Sequence, residues 1–507
     1  MVAALWISWQ DDVSLLASEG RAVVAGRGMR VELRRLTPDV LAALERLAPP
    51  GEDEERLAES ILAGGNVDSL ARWHYHVNHL RQRGLIRRSL YADGKRLATV
   101  SPLCRMYPPS SRPVSDSGLL ADKGHRPPGN GSIDSHSAAT AAYVLSRFAY
   151  LRREGDKLVL ESPLAHARVV FDDPRVMPIL GALAAPTTFS KLVERVDDLA
   201  PADLQALLSL LQEVKLVDEV AADAPPSQCS AASGNDSARD VWEFHDLLFH
   251  SRSRGGRSDG RFGGTYRFAN RPPPPAMKSI SHREAHELYR PDIEQLERDD
   301  PPLARVQNHR RSIRSYGAQP ITARQLGEFL YRVGRVNKRW RDEAHAPSGP
   351  VSMEFTSRPY PAGGGLYELE FYAVVRSCQD LEPGLYHYDP ELHQLARISR
   401  MTGECDSLLN DAASSAGIAA NTLQVLIILT ARFERIAWKY ESIAYSLVLK
   451  DVGVVLQTMY LAATAMNLAP CALGCGDSDL FARAAETDYF VETSVGEFLL
   501  GSVDVPT

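Results

Sequence analysis

Cysteine is scarce in this chain: six residues in 507, with no Cys-x-x-Cys pair. That excludes a disulfide-framed secreted domain and fits reduced thiols in a cytoplasm. Long apolar runs are also missing. The most apolar stretch, Val425–Thr430, falls far short of the roughly 20 residues that a membrane helix needs. An excess of positive charge is absent as well, since Lys plus Arg number 57 against 64 Asp plus Glu, a net charge of −7. A chain that coats nucleic acid usually carries the opposite sign. The start, Met1 to Trp9, has no basic n-region and runs into Asp11 and Asp12, which does not read as a signal peptide. What remains is ordinary globular composition, 44% hydrophobic and 24% charged, in a chain long enough for several domains.

Two segments read as linkers. Residues 101–137 hold Pro108, Pro113, Pro127, Pro128, Gly129 and Gly131 among serines, and residues 221–238 are rich in Ala, Ser and Pro. They divide the chain into pieces at 1–100, 138–220 and 239–507. The first two pieces look like weak repeats. Each has β-type stretches (Arg30–Leu33; Lys157–Leu160 and Arg168–Phe171), short amphipathic helices, and a last helix that turns into a strand at Gly84-Leu85-Ile86 or Leu216-Val217. This is the order of a winged helix-turn-helix module. Arg72, His74, His76, His79, Arg81 and Arg83 make one helix of the first module basic, while the second has no such cluster. A solvated helix face, DNA readout and peptide capture at a sheet edge are the three readings, with charge favouring the first over the second. His74, His76 and His79 lack an obvious further ligand, so no metal site is expected.

The third piece reads as an α+β domain. Val425–Leu429 is an apolar run of strand length, joined by Phe371–Val375 and Phe498–Leu500. Leu385–Tyr388 and Leu395–Ile398 flank an Asp389-Pro390 turn. From Ser446 to Leu461 a wide apolar face at helical spacing predicts a buried helix.

Four motifs here could carry chemistry. Arg310, Arg311, Ser312 and Arg314 crowd three guanidinium groups and a hydroxyl into five residues, a composition suited to phosphate or to a solvated basic patch. Pro361-Ala362-Gly363-Gly364-Gly365 lets backbone approach a ligand without Cβ atoms in the way, or is a plain turn; it is neither a Walker loop nor GxGxxG. Lys439-Tyr440 offers two proton-transfer groups, or a surface pair. Gly474 and Gly476 again allow close approach, beside Cys471 and Cys475, which have no basic neighbour to activate them.

In this order the four motifs resemble the flavin-dependent azoline dehydrogenases of the nitroreductase superfamily, the SagB-type enzymes. Trp242–His250, Gly264-Thr265-Tyr266-Arg267-Phe268 and Leu288-Tyr289-Arg290-Pro291 resemble the same family's entry segments, and the winged-helix pieces are similar to the peptide-clamp region of cyanobactin-type oxidases. The resemblance implies a mainly antiparallel sheet wrapped by helices, a homodimer, and FMN at the subunit interface. It implies that Arg310, Arg311, Ser312 and Arg314 hold FMN phosphate and ribityl oxygens, and that Pro361, Ala362, Gly363 and Gly364 pass near the flavin ring. It places Gln457 and Gly474 at further flavin contacts and Lys439 and Tyr440 in catalysis. This sequence has Ala362 where serine is common, no arginine in Ser442–Ser446 after the Lys-Tyr pair, and Gly453-Val454 where Gly-His is frequent. The implied reaction is aromatisation of thiazoline or oxazoline rings in a ribosomally made precursor peptide. A Lys or Tyr base takes the Cα proton, FMN takes the hydride, and dioxygen reoxidises the flavin. A cyclodehydratase is the implied partner. An NAD(P)H-dependent nitroreductase and an inactive peptide-binding scaffold are the competing readings.

Overall fold

The computed structural model describes residues 4–103, 141–222, 237–257, 261–279 and 284–504, apart from 19, 27, 65, 66 and 197. Most of both linker segments lies outside the described residues. The chain divides into two compact units, Met1–Gly260 and Arg261–Thr507.

In the first unit both winged-helix-like modules are present. The first has strands at Ala4–Trp9, Ile86–Ala92 and Lys95–Pro102 around helices Pro38–Glu45, Glu54–Ala63 and Val67–Gln82. Thr37 and Asp53 start the first two helices by accepting backbone N–H groups with their side chains. The second module packs helices Met177–Ala182, Phe189–Arg195 and Pro201–Glu213 with strands Ala141–Leu145 and Val217–Ala221. They are less separate than the repeat pattern suggests. Ala167–Phe171 pairs antiparallel with Lys95–Pro102, so strands of both modules form one seven-stranded sheet. An unpaired strand edge in either module would leave N–H and C=O groups without partners, and the shared sheet satisfies them. Arg88 and Glu213 tie the modules again through two hydrogen bonds of 2.8 and 2.7 Å. Replacing Arg88 with alanine leaves Glu213 without that partner and is expected to cost about 2–3 kcal/mol, read as a lower urea midpoint. The basic helix spends its charge internally. Arg81 pairs with Glu54 at 2.8 Å, Arg72 donates to the Arg35 carbonyl, and burial pushes the His76 imidazole toward neutrality.

Residues 239–260, placed with the C-terminal domain by the sequence reading, fall in the first unit. Arg252 reaches Glu161 at 2.7 Å, and Arg257 donates to the Pro163 and Leu164 carbonyls. The segment's charged side chains find partners here that are some 90 residues away in sequence, which no local pattern reveals.

The second unit is built on a seven-stranded antiparallel sheet in the order Ala285–Glu287, Gln394–Arg400, Gly384–Asp389, Leu369–Val375, Val425–Arg432, Glu492–Ser502, Leu468–Ala472. Successive strand residues face opposite sides. Phe371, Ala373, Val375, Ile427 and Leu429 pack with helices Ala323–Gly334 and Ala444–Ala465. Tyr372, Val374, Leu426 and Ile428 pack with helices Gly403–Ala416 and Ser478–Ala485. Cover on both faces explains why the central strands read as unbroken apolar runs.

Helix Ala444–Ala465 corrects one expectation. Val448, Val452, Val455, Met459 and Ala463 are buried, but Tyr445, Leu449, Gly453 and Gln457 are exposed. Only 33% of its most apolar window is covered within this chain, and its mean hydropathy there, 1.3, would by length and composition suit a membrane span. The wide apolar face is therefore half core and half uncovered surface.

Candidate functional site

Lys439 and Tyr440 lie at the end of a short helix, Phe433–Ala437, whose next residue, Trp438, is fully buried and donates its indole N–H to the Arg271 carbonyl. Tyr440 then enters a two-residue strand, Tyr440–Glu441, paired with Gly263–Gly264. The Tyr266 amide donates to the Lys439 carbonyl at 3.0 Å. The Lys439 ammonium stands 5.3 Å from the Tyr440 ring centre and 5.8 Å from that of Tyr266. Burial lowers the Lys439 ammonium from its ordinary range. Burial, followed by Tyr266, Asp451 and Glu368, raises the Tyr440 phenol. Both shifts run toward the uncharged forms.

The glycine loop meets this pair. Gly364 has φ of +63°, and a Cβ there would overlap the Tyr440 hydroxyl and lie 2.8 Å from Lys439 Nζ. Gly363 donates its N–H to Asp451 Oδ2 at 2.8 Å, from the middle of helix Ala444–Ala465. Arg435, with no exposed surface, holds the far side of the loop by donating to the Leu366 carbonyl at 2.9 Å and to the Glu354 carbonyl at 2.6 Å. Pro361 is exposed and Ala362 half-buried at the loop's entrance.

The arginine motif forms a second cluster. Ile313 donates to the Pro470 carbonyl, which lays 310–314 along strand Leu468–Ala472. The Ser312 and Tyr460 hydroxyls are 2.6 Å apart, the Ala472 amide donates to Tyr460 at 2.9 Å, and the Arg310 guanidinium sits 5.1 Å above the Tyr460 ring. Arg311 and Arg314 are exposed, and the Arg314 charge bears on Tyr316 and Cys471. Gly474 lies two residues past Ala472, and a Cβ there would meet nothing within 4 Å, so packing within this chain does not require glycine at 474. At Gly476 a Cβ would instead collide with the Glu497 carboxylate.

Within one chain, then, Pro361, Ala362, Gly363, Gly364, Lys439 and Tyr440 form one group, and Arg310 and Ser312 another near Gly474. The same helix anchors both groups, through Asp451 and Tyr460, nine residues or roughly 14 Å of rise apart. Gln457 is exposed between them. Sequence reasoning missed Tyr460, Arg435, Glu368 and Asp451. Asp451 did carry a signal, an acid on the buried face between Val448 and Val455.

Three family models match parts of the chain. Residues 308–501 match the nitroreductase family, residues 143–259 match the cyanobactin oxidase ThcOx, and residues 1–108 match the ThcOx helix-turn-helix domain. A protein of Methanocaldococcus jannaschii named as a nitroreductase is 31% identical over 188 residues, 37% of this chain and 83% of that relative. The chain belongs to the nitroreductase family of oxidoreductases. Its N-terminal part carries the two ThcOx matches in addition. Solved structures that resemble it include a nitroreductase-like protein of Anabaena variabilis (21% identity, 50% of this chain and 45% of that one, TM-score 0.34). Others are the Escherichia coli microcin synthetase McbBCD complex with truncated pro-MccB17 bound (18%, 51% and 91%, 0.32) and a Desulfovibrio desulfuricans nitroreductase-like protein in complex with FMN (16%, 41% and 93%, 0.25).

Proposed function

We propose that this chain is an FMN-dependent dehydrogenase that converts thiazoline or oxazoline rings in a ribosomally made peptide to thiazole or oxazole. The observation that carries the reading is the convergence of the Lys439 amine, lowered from its ordinary range by burial, and the Tyr440 hydroxyl on the backbone at Gly364. The residues fit a flavin: Gly363 to Gly365 present backbone without side chains beside Lys439 and Tyr440, with Gly364 exposed, and Arg310, Arg311, Ser312 and Arg314 supply the charge and hydroxyl that a phosphate needs. Arg310 and Ser312 take the phosphate and ribityl oxygens with Arg311 and Arg314, Pro361–Gly364 line the ring, and Gln457 and Gly474 complete the contacts. Flavin supplies the hydride acceptor. The protein's own part is to orient the azoline so that its Cα proton meets Lys439 Nζ, with the Tyr440 hydroxyl fixing the ring.

A homodimer belongs to the proposal. The exposed face of helix Ala444–Ala465, with Tyr445 at 47% and Leu449 at 40% exposure, is apolar surface that a second copy would cover. The precursor peptide is the substrate, a cyclodehydratase its supplier, and the cytoplasm the compartment. The test uses purified full-length protein. Flavin bands, FMN released by heat at about one per chain, and anaerobic bleaching by an azoline peptide that loses two hydrogens would support the reading. Bleaching by NAD(P)H but not by azoline peptide makes it a nitroreductase. A colourless protein that takes up no FMN makes it a peptide-binding scaffold.

A further inference from the structure

Glu368 and Glu370 stand two residues apart, and the fold gives them opposite surroundings. Burial alone would raise the Glu370 carboxyl, but Arg432 Nε at 2.8 Å and His387 Nε2 at 3.0 Å bring it down to about 2. Glu368 has no exposed surface, and no side chain other than that of Asp451 hydrogen-bonds its carboxyl among the described residues. Its closest coupling is to another acid, Asp451, itself only 6% exposed. Two buried carboxyl groups in hydrogen-bond contact cannot both stay ionised. Burial and then Asp451 push Glu368 from its ordinary 4.5 to about 8, and burial raises Asp451 as well. The other charged or titratable groups that bear on the pair are Arg358, Tyr360, Arg435, Tyr440 and Lys450. Arg358 favours the Glu368 anion and donates to the Leu369 carbonyl at 3.5 Å.

The position of the pair gives it a purpose. Asp451 Oδ2 accepts the Gly363 amide at 2.8 Å, while the next residue, Gly364, faces Lys439 and Tyr440. The carboxyl pair and the Lys-Tyr pair therefore lie on two sides of one glycine step. We propose that Glu368 and Asp451 share a single proton and act as a positioning pair, in which Asp451 holds the Gly363 amide and protonated Glu368 keeps the pair at one negative charge beneath Lys439 and Tyr440. The role rests on the site proposed above; the shared proton does not.

The experiment is infrared spectroscopy of the full-length protein over a pH series, on wild type, Glu368→Gln and Glu370→Gln. Glutamine copies the neutral acid in shape, so Glu368→Gln keeps the fold. A carboxylic-acid C=O band is expected near pH 7, absent in Glu368→Gln, retained in Glu370→Gln, and fading in wild type as pH rises through about 8. Thermal unfolding gives a second readout. Native Glu368 holds a proton that the unfolded chain releases, so wild-type stability falls as pH rises from about 4.5 to about 8, and Glu368→Gln flattens that fall. A neutral-pH spectrum with no band dependent on Glu368, or an equal slope in both proteins, overturns the proposal. Neither readout needs flavin or substrate. A colourless protein with the Glu368 band would sink the enzymatic reading and leave the shared proton standing.

Discussion

Lys439→Ala lowers azoline oxidation by roughly three orders of magnitude while the flavin absorbance survives, since a well-placed general base contributes about 10²- to 10⁴-fold. The prediction rests on burial. Lys439 lowers toward neutrality because its ammonium loses water between Tyr266, Tyr440 and Gly264, with no carboxylate to pair it within ion-pair distance among the described residues. The sign of the pH effect follows. The amine must be neutral to accept the Cα proton, so wild-type kcat/KM rises with pH until the lowered lysine ionisation is passed, and this limb disappears in Lys439→Ala. Single-turnover kinetics across a pH series measures both effects. Unchanged turnover with an unchanged profile would remove Lys439 from the chemistry.

Gly364→Ala is expected to reduce turnover about 100-fold, the scale of a misplacement near 1 Å at a reacting centre. The backbone at φ +63° costs a non-glycine residue about 1 kcal/mol, and the added methyl overlaps the Tyr440 hydroxyl and crowds Lys439 Nζ. Both catalytic groups must then shift, or the loop must leave its bonds from Gly363 to Asp451 and from Arg435 to Leu366. Gly155→Ala, far from these residues in sequence, is the matched control, because Gly155 has a similar left-handed φ of +61° and a Cβ there meets nothing within 4 Å. Steady-state kinetics with flavin occupancy measured in parallel separates lost chemistry from lost cofactor. Equal rates in Gly364→Ala and wild type would mean that the loop and the Lys-Tyr pair do not form one site.

Strand and helix periodicity was legible wherever burial is local. Val425–Leu429 lies in the central strand because both faces of the sheet are covered, and apolar side chains on both faces leave an unbroken run in sequence. Thr322 starts helix Ala323–Gly334 with a full capping box to Gln325, a device that depends only on residues three apart. The helix after Tyr440 was legible as a helix but not as half-exposed, because a core face and an uncovered apolar face look alike in composition.

The sequence by itself determined the α+β class, the winged-helix modules and the four motifs that could bear chemistry. These depend on local spacing and residue type, which a linear reading retains. Tertiary structure alone decided that Gly364 faces Lys439 and Tyr440, that Ser312 meets Tyr460, and that two glutamates two residues apart meet opposite surroundings. It also moved residues 239–260 into the first unit and merged the modules into one sheet. The reason is physical: hydrogen bonding, desolvation and charge pairing are set by distance in space, and the partners here lie tens to more than a hundred residues apart along the chain.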